Sequence, residues 1–179
     1  MNSTRLGRHL QRVLGGLLRP SSRTPPTAVT TTHRAPVRQA PTAGYPGDFT
    51  GISTVLYEPI PDDSPDPGEI VWTRVVFEED YQRAKDRPVL VIGRDAPWLL
   101  ALMLTSKDHD RDAGVEARHG RVWVDVGTGA WDSQRRPSEI RIDRVLRLDP
   151  GQVRRDGGML DRARFDAVAA QVRSVDGWK

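Results

Sequence analysis

Short apolar segments separated by turn residues constrain the fold of this chain more than any other feature of its sequence. Residues 98–105 form a continuous apolar run that ends in a threonine, which is typical of a short strand buried on both faces. Residues 88–92 form a second such run, and residues 93–97 between the two are rich in turn residues. Because strands this short bury their side chains by pairing with one another, the sequence predicts a small, strongly bent antiparallel sheet or barrel.

Further strands and one helix complete the predicted domain. The β-branched, aromatic and apolar pattern predicts additional strands at residues 52–57, 70–77, 122–126 and 140–148. A C-terminal helix is predicted from an apolar face at i, i+3, i+4 and i+7, namely Phe165, Val168, Ala169 and Val172. Asp161 is its expected N-cap, with Leu160 and Phe165 as a hydrophobic staple. The charged residues 108–120 are expected to form a loop.

The basic character of the chain is concentrated in its first 50 residues. Seven of the 27 basic residues and one of the 24 acidic residues lie there, which leaves 20 and 23, a balance of −3, for residues 51–179. Residues 20–48 are rich in Pro, Thr, Arg and Ala, and such a segment buries too little apolar surface to offset its chain entropy. We therefore predict a disordered extension at 1–48, with a short amphipathic helix at 5–18 as an alternative for its start, and a folded domain at 49–175.

Composition excludes several classes of protein. The chain has no cysteine, so disulfides and thiolate zinc sites are ruled out, and a reducing, cytoplasmic location is expected. No apolar run approaches the roughly 20 residues that span a bilayer, so no integral membrane segment is predicted. The negative balance of residues 51–179 means that a nucleic-acid site must be a local basic patch. No metal and no cofactor is predicted.

Two residues carry the most specific chemistry in the sequence. Arg87 precedes one apolar strand, and Thr105 closes the next. Neighbouring antiparallel strands bring such positions together at one end of a sheet. A guanidinium is a planar fork of donors that matches phosphate oxygens, and a hydroxyl adds one more donor. Arg87 and Thr105 are therefore predicted to hold a phosphate group; the alternative is a surface arginine and a threonine that merely ends a strand.

A second group of candidates combines an aromatic residue with cations. Trp131, Arg135 and Arg136 lie in a predicted loop, and an aromatic side chain beside arginines is suited to binding single-stranded nucleic acid. The alternative is a tryptophan folded over the end of the barrel, with solvated arginines. Lys107 is a further candidate for contact with a phosphate.

The acidic run at 108–112 raises two further hypotheses. His109 is a candidate general base, since imidazole exchanges protons near neutrality and the run closely follows Thr105. The run has no recognised metal-ligand spacing, and a solvated charged loop is the alternative. Arg144 shares the strand parity of the apolar Ile142 and Leu146, so it must be paired, turned outward by a bulge, or buried against a partner.

The order of four short motifs resembles the PemK/MazF family of toxin endoribonucleases. The motifs are residues 68–72, 87–92, 104–106 and 143–148, and the resemblance covers about residues 68–172. It implies an SH3-like β-barrel with a C-terminal helix, usually as a homodimer. It also implies catalytic roles for Arg87 and Thr105.

The resemblance further implies a function. This would be the toxin of a type II toxin–antitoxin system, which cleaves single-stranded RNA without a metal and is neutralised by a cognate antitoxin. The expected chemistry is attack by a ribose 2′-hydroxyl on the adjacent phosphate. Two alternatives stay open at this point: a non-catalytic SH3-like module that binds RNA or protein, and a toxin of the same fold that acts on a protein target.

Overall fold

The computed structural model describes residues 44–109, 113–154 and 157–176, which form a mainly antiparallel β structure with a C-terminal helix. Its elements are β1 (Ile70–Val76), β2 (Ala84–Asp95), β3 (Trp98–Thr105), α1 (Ala113–Arg118), β4 (Trp123–Gly127), β5 (Ser138–Arg141), β6 (Leu146–Leu148) and α2 (Arg162–Asp176). The predicted fold class is confirmed in these features. The extension predicted at 1–48, including its helix at 5–18, lies outside the described residues up to residue 43.

β3 is at the centre of a six-stranded sheet. Five of the strands follow the order β1-β2-β3-β5-β4, and β6 pairs with β3 outside this order. One edge of β3 pairs with β2, and the other edge pairs first with β6 and then with β5. β2 bends at a register shift between Val91 and Gly93, as a bulge does. In the described part of the chain no ladder joins β1 to β4, so the sheet stays open and the predicted barrel is only loosely realised.

The strand predicted at residues 52–57 does not form. This segment runs beside the part of β2 that extends past β1, where Leu56 N–H donates to the carbonyl of Ile92 at 2.9 Å. Val55 is nevertheless buried in the core. The apolar pattern therefore correctly indicated that this segment packs in the core. The segment is not a strand, because one backbone hydrogen bond is not enough to form one.

The long strand predicted at residues 140–148 is divided into β5 and β6 by polar contacts. Asp143 accepts from the guanidinium of Arg141 at 2.7 Å and from the backbone N–H of Val122 at 2.7 Å. Arg144 is turned to Asp48 instead of continuing the strand. These contacts with other segments outweigh the β propensity of the run. The loop predicted at 108–120 contains the six-residue helix α1.

Apolar side chains fill both faces of the sheet. α2 packs on one face, and its N-cap is confirmed, since Asp161 Oδ1 accepts from Arg164 N–H at 3.0 Å. Leu160 and Phe165, the predicted staple, are both buried in this core. On the opposite face the cluster consists of Val71, Val75, Val89, Val91, Leu99, Ala101, Leu146 and Leu148. In the part of the chain that is described, neither helix has the length and apolar content needed to cross a membrane.

Residues 45–49, the N-terminal strap, lie along β6. Phe49 N–H donates to the carbonyl of Val145 at 2.8 Å, and Arg147 donates to the carbonyl of Asp48 at 3.0 Å. The Tyr45 hydroxyl donates to the Asp48 carboxylate, which also binds Arg144. Burial and this hydrogen bond raise the pKa of Tyr45. The strap thus fixes the Arg144 side chain from outside the sheet.

Candidate active site

Strand register brings Arg87 and Thr105 together. The described pairs of β2 and β3 begin at Val89 and Met103. Continued by two residues on each strand, this register sets Arg87 opposite Thr105. Directly opposed residues of an antiparallel pair have side chains on the same face, about 4.5–5.5 Å apart at Cβ. The sheet therefore places the predicted phosphate-binding pair at one end of the β2–β3 ribbon.

Two cavities meet at this pair. The first, of about 350 Å³, is also lined by His109, Trp123 and Arg141, and we call it the His109 cavity. The second, of about 430 Å³, is also lined by Trp131 and Arg136, and we call it the Trp131 cavity. The residues that line both cavities are Lys85, Arg87, Thr105 and Lys107. These four residues separate the two cavities, and we call them the shared ridge. Three of the four are cations.

The guanidinium of Arg87 is half-buried and has no hydrogen bond or ion pair with any described residue. Burial lowers the pKa of Arg87, and no carboxylate opposes that shift. An arginine remains charged nonetheless, because its ordinary pKa lies above 12. A partly desolvated, uncompensated cation is costly, and an anion from solution would relieve that cost. Arg87 is therefore the candidate anion-receptive group of the ridge.

Thr105 presents a hydroxyl whose hydrogen is available. Its Oγ1 accepts from the backbone N–H of Lys107 at 3.1 Å, and no described residue accepts from it. The side chain is nearly buried, which restricts its rotation. A hydroxyl held as an acceptor on one side can donate on the other. The arrangement suits a hydrogen bond to the oxyanion that Arg87 would hold.

Two of the three other arginines of the His109 cavity, Arg141 and Arg144, are buried and paired with carboxylates. Arg141 donates to Glu78 at 2.8 Å and to Asp143 at 2.7 Å. Burial alone would lower the pKa of Arg141, but these hydrogen bonds raise it above its ordinary value. Arg144 donates to Asp48 at 2.8 Å and to the carbonyl of Val76 at 3.0 Å. The sequence left three environments possible for Arg144, and the structure shows the first of them, a pairing with a carboxylate.

His109 forms a buried pair with Glu139 in the same cavity. Its Nδ1 lies 2.8 Å from Glu139 Oε2, and its backbone N–H donates to Glu139 Oε1 at 3.1 Å. The imidazole stacks on the indole of Trp123, with centroids 3.9 Å apart and planes at 3°. Sequence reasoning missed Glu139, since the acid lies 30 positions from the histidine and no local pattern links them.

Acidic residues line the far wall of the His109 cavity. Trp123 Nε1–H donates to Glu116 at 3.1 Å, and this hydrogen bond, with nearby Arg121, lowers the pKa of Glu116. The hydrogen bond from Arg141 likewise lowers the pKa of Glu78. Arg121 also binds Glu79 at 3.3 Å. The cavity therefore has an acidic, internally neutralised wall that faces the cationic ridge.

The predicted loop of Trp131, Arg135 and Arg136 is only partly presented to the cavities. Trp131 is 3% exposed, and its Nε1–H donates to Ser138 Oγ at 3.1 Å, so no ring face is free for a base and the stacking prediction does not fit. Arg136 lines the Trp131 cavity and donates to the buried Asp132 at 2.7 Å. Arg135 is exposed, with a positive φ of 54°, and lines neither cavity.

Among the described residues, no three His, Asp or Glu side chains come together in a way that could hold a metal ion. Residues 110–112, the centre of the acidic run after Thr105, lie outside the described part of the chain.

The fold and the site define a small, mainly β domain whose sheet end carries a threonine beside an arginine that pairs with no described residue. Residues 66–175 match the family described as PemK-like, MazF-like toxin of type II toxin–antitoxin system, and the chain belongs to that family. Two similar solved structures are the Form-II and Form-III crystals of MazE-MazF from Deinococcus radiodurans. Each is 16% identical and covers 65% of this chain and 98% or 99% of that chain, with TM-scores of 0.44 and 0.43. The comparison with curated proteins finds no match.

Proposed function

We propose that this protein is an endoribonuclease toxin that cleaves single-stranded RNA by attack of a ribose 2′-hydroxyl on the adjacent phosphate. The observation that carries the proposal is the half-buried, uncompensated Arg87 in register with Thr105 between two cavities. Membership of the toxin family supports it. A toxin of the same fold that acts on a protein target has no evident need for such a pair, so the pair favours an RNA phosphate as the ligand.

The chemistry assigns a role to each of the two residues. The 2′-oxygen forms a new bond to phosphorus while the bond to the 5′-oxygen breaks, which gives a 2′,3′-cyclic phosphate and a 5′-hydroxyl end. Negative charge gathers on the phosphoryl oxygens, where the guanidinium of Arg87 stabilises it and the Thr105 hydroxyl donates a hydrogen bond. One preorganised donor of this kind contributes about 2.7–4 kcal/mol to the transition state. Arginine is a poor base, so Arg87 acts electrostatically.

The two cavities give the RNA a path across the ridge. With the scissile phosphate at Arg87, the flanking nucleotides would lie in the His109 cavity and the Trp131 cavity. Lys85, Lys107 and Arg136 would then contact neighbouring phosphates, and Arg135 would add long-range attraction. A single strand can splay its nucleotides in this way, whereas a duplex holds them stacked. This accounts for a basic ridge in a domain whose overall charge is slightly negative.

Partners and location follow from this function. Membership of a type II toxin family supports a cognate antitoxin protein as a binding partner. An RNA target supports a cytoplasmic location, and a homodimer remains part of the proposal. Light scattering of the purified chain would test the dimer, and co-purification with the product of a neighbouring short gene would test the antitoxin.

The decisive experiment incubates the full chain with a panel of single-stranded RNAs in EDTA. Cleavage that leaves cyclic phosphate ends is expected, because the proposed mechanism uses no metal. RNA that stays intact at high protein excess would overturn the nuclease proposal. Intact RNA that is nevertheless bound would favour the binding module.

A test in cells separates the remaining alternative. Induced expression should arrest bacterial growth, and Arg87→Ala should abolish the arrest while the exposed α2 variant Arg173→Ala does not. Arrest that persists in Arg87→Ala, with cellular RNA uncut, would favour a toxin acting on a protein target.

A further inference from the structure

The His109–Glu139 pair is buried but faces the cleft. Both residues are 8% exposed, and His109 lines the cavity that also contains Arg87 and Thr105. A buried ion pair gains little net stability, because desolvation of both charges offsets their attraction. Stability alone is therefore a weak explanation for placing this pair beside the anion-receptive arginine.

Local contacts fix the orientation of the imidazole ring. The Glu139 carboxylate is an acceptor, so Nδ1 of His109 carries the proton that it receives at 2.8 Å. In the neutral ring, Nε2 then holds the lone pair. Stacking on Trp123 prevents the ring from turning, and Trp123 is itself held by its hydrogen bond to Glu116. The ring thus has one tautomer and one plane.

Register places this ring near the reacting groups. Glu139 on β5 is the cross-strand partner of Thr105 on β3. The His109 backbone binds the same carboxylate, so the chain after Thr105 turns back towards it. Among the described residues, Glu139 of β5 contacts the imidazole, and Glu116 of α1 interacts with its charge; Arg121 and Lys107 also act on Glu116.

We propose that His109 is the general base of the reaction and that Glu139 is its positioning residue. The inference rests on the proposed function and names the group that accepts the proton. Nε2 of His109 takes the proton of the ribose 2′-hydroxyl as that oxygen attacks phosphorus. The 5′-oxygen leaves with the electrons of the broken bond and takes a proton from water. The imidazolium then returns its proton to solvent, so the step balances without a co-reactant.

Single-turnover cleavage by the full chain, measured against pH, tests the proposal. Wild type should show a rate that rises with pH as an imidazole loses its proton. His109→Gln should cleave about 100-fold or more slowly, since a general base contributes about 10²–10⁴. Its rate should also lack this rise with pH, which we call the acidic limb of the profile. The matched control is His119→Gln, because His119 is exposed and lines neither cavity. Equal rates and profiles in wild type and His109→Gln would overturn the proposal.

Glu139→Gln tests the positioning role separately. The amide can still accept a hydrogen bond but no longer stabilises an imidazolium, so the acidic limb should move to lower pH with a smaller loss of rate. A merely structural role would change thermal stability and leave the limb in place. If the His109 variants do not fold, this shift decides the matter: an unmoved limb overturns the proposal.

Added imidazole tests whether His109 transfers a proton, and a substrate with a better leaving group distinguishes a base from a leaving-group acid. Added imidazole should restore part of the activity of His109→Ala but not of Arg87→Ala. A substrate with sulfur in place of the 5′-oxygen needs no proton on its leaving group, so the His109 variants should remain slow on it. Recovery on that substrate would overturn the assignment as base. Failure of wild type to cut any RNA would instead defeat the proposed function itself.

Discussion

Two walls of the His109 cavity use arginine in opposite ways. On the β5–β6 wall, Arg141 and Arg144 are buried and bound to carboxylates at 2.7–2.8 Å. On the β2–β3 wall, Arg87 is half-buried and has no partner in the described part of the chain. Burial lowers the pKa of Arg87, whereas hydrogen bonds raise the pKa of Arg141. The same type of side chain therefore stabilises the fold on one wall and, in our proposal, holds a phosphate on the other.

The difference teaches that pairing, not burial, distinguishes the two roles. A paired arginine has its donors satisfied, so removing it leaves an uncompensated carboxylate and weakens the fold. An unpaired arginine contributes little to the fold, and its interaction energy is available for a ligand. Substitution of the arginine on the β2–β3 wall should therefore lower activity rather than stability. Substitution of an arginine on the β5–β6 wall should lower stability rather than activity.

The largest effect is expected for Arg87→Ala. Cleavage, as kcat/KM, should fall at least about 100-fold, since one preorganised donor to the transition state is lost. The free energy of unfolding should stay within about 1 kcal/mol of wild type, because no internal ion pair is broken. Arg87→Lys should recover little activity, since an ammonium lacks the planar fork. Denaturant unfolding that shows a large loss of stability would break the comparison.

Arg144→Met should show the reverse pattern. We expect a loss of about 2 kcal/mol in the free energy of unfolding, below the 3–5 for fully buried pairs because Asp48 is partly exposed. Urea unfolding measures it. The double variant Arg144→Met with Asp48→Asn should lose less free energy of unfolding than the two single variants lose together. The reason is that either single change already breaks the ion pair. Additive losses would show that the pair is not coupled.

Thr105→Val should lower cleavage by roughly 10- to 100-fold, because a hydrogen bond to a charged group contributes about 1.5–3 kcal/mol. Thr105→Ser keeps the hydroxyl and should retain most of the activity. Rates measured under single-turnover conditions keep product release out of the comparison. Equal rates for the valine and serine variants would remove Thr105 from the mechanism.

The fold was largely predictable from the sequence because its strands are short apolar runs. β3 has the predicted bounds, and α2 carries the predicted cap and apolar face. The errors arose where polar side chains decide the backbone path. Asp143 and Arg144 bind residues far away in sequence, so periodicity could not show that they divide β5 from β6.

The candidate site was predictable only where neighbouring strands carry it. Arg87 lies within β2 and Thr105 ends β3, so their convergence follows from antiparallel pairing of consecutive strands. The partner of His109 lies on β5, beyond a helix and another strand, and no local signal marks Glu139. Two environments stayed open for Trp131, because composition does not distinguish a tryptophan that packs over the core from one that faces solvent; the residue is buried.

The ridge lysines should have a smaller, salt-dependent effect. Lys85→Ala and Lys107→Ala should each weaken RNA binding several-fold at low salt and reduce the slope of log K against log salt by about 0.7. Fluorescence anisotropy on uncleavable RNA measures both. A change in affinity with no change in slope would show that the lysine does not contact a phosphate.

Arg136 is paired with a carboxylate, as Arg141 and Arg144 are, but it is exposed. Its substitution should therefore have the smallest effect. Its hydrogen bond holds the pKa of Asp132 below its ordinary value, although Arg136 itself is 54% exposed. A depressed carboxyl pKa stabilises the fold above about pH 4, and that contribution is lost as pH falls through the folded pKa. Arg136→Ala should therefore cost less than about 1 kcal/mol at pH 7, and the difference from wild type should vanish in acid. A gap that persists at low pH would contradict this.

The N-terminal strap has a consequence for how the domain can be excised or transplanted. Homology begins at residue 66, yet residues 45–49 supply the carboxylate of Arg144 and backbone acceptors for Arg147. A fragment cut at the homologous boundary would lack the carboxylate partner of Arg144, a buried cation that lines the His109 cavity. The unit to excise is therefore larger than the part that matches the family, and it should include Tyr45.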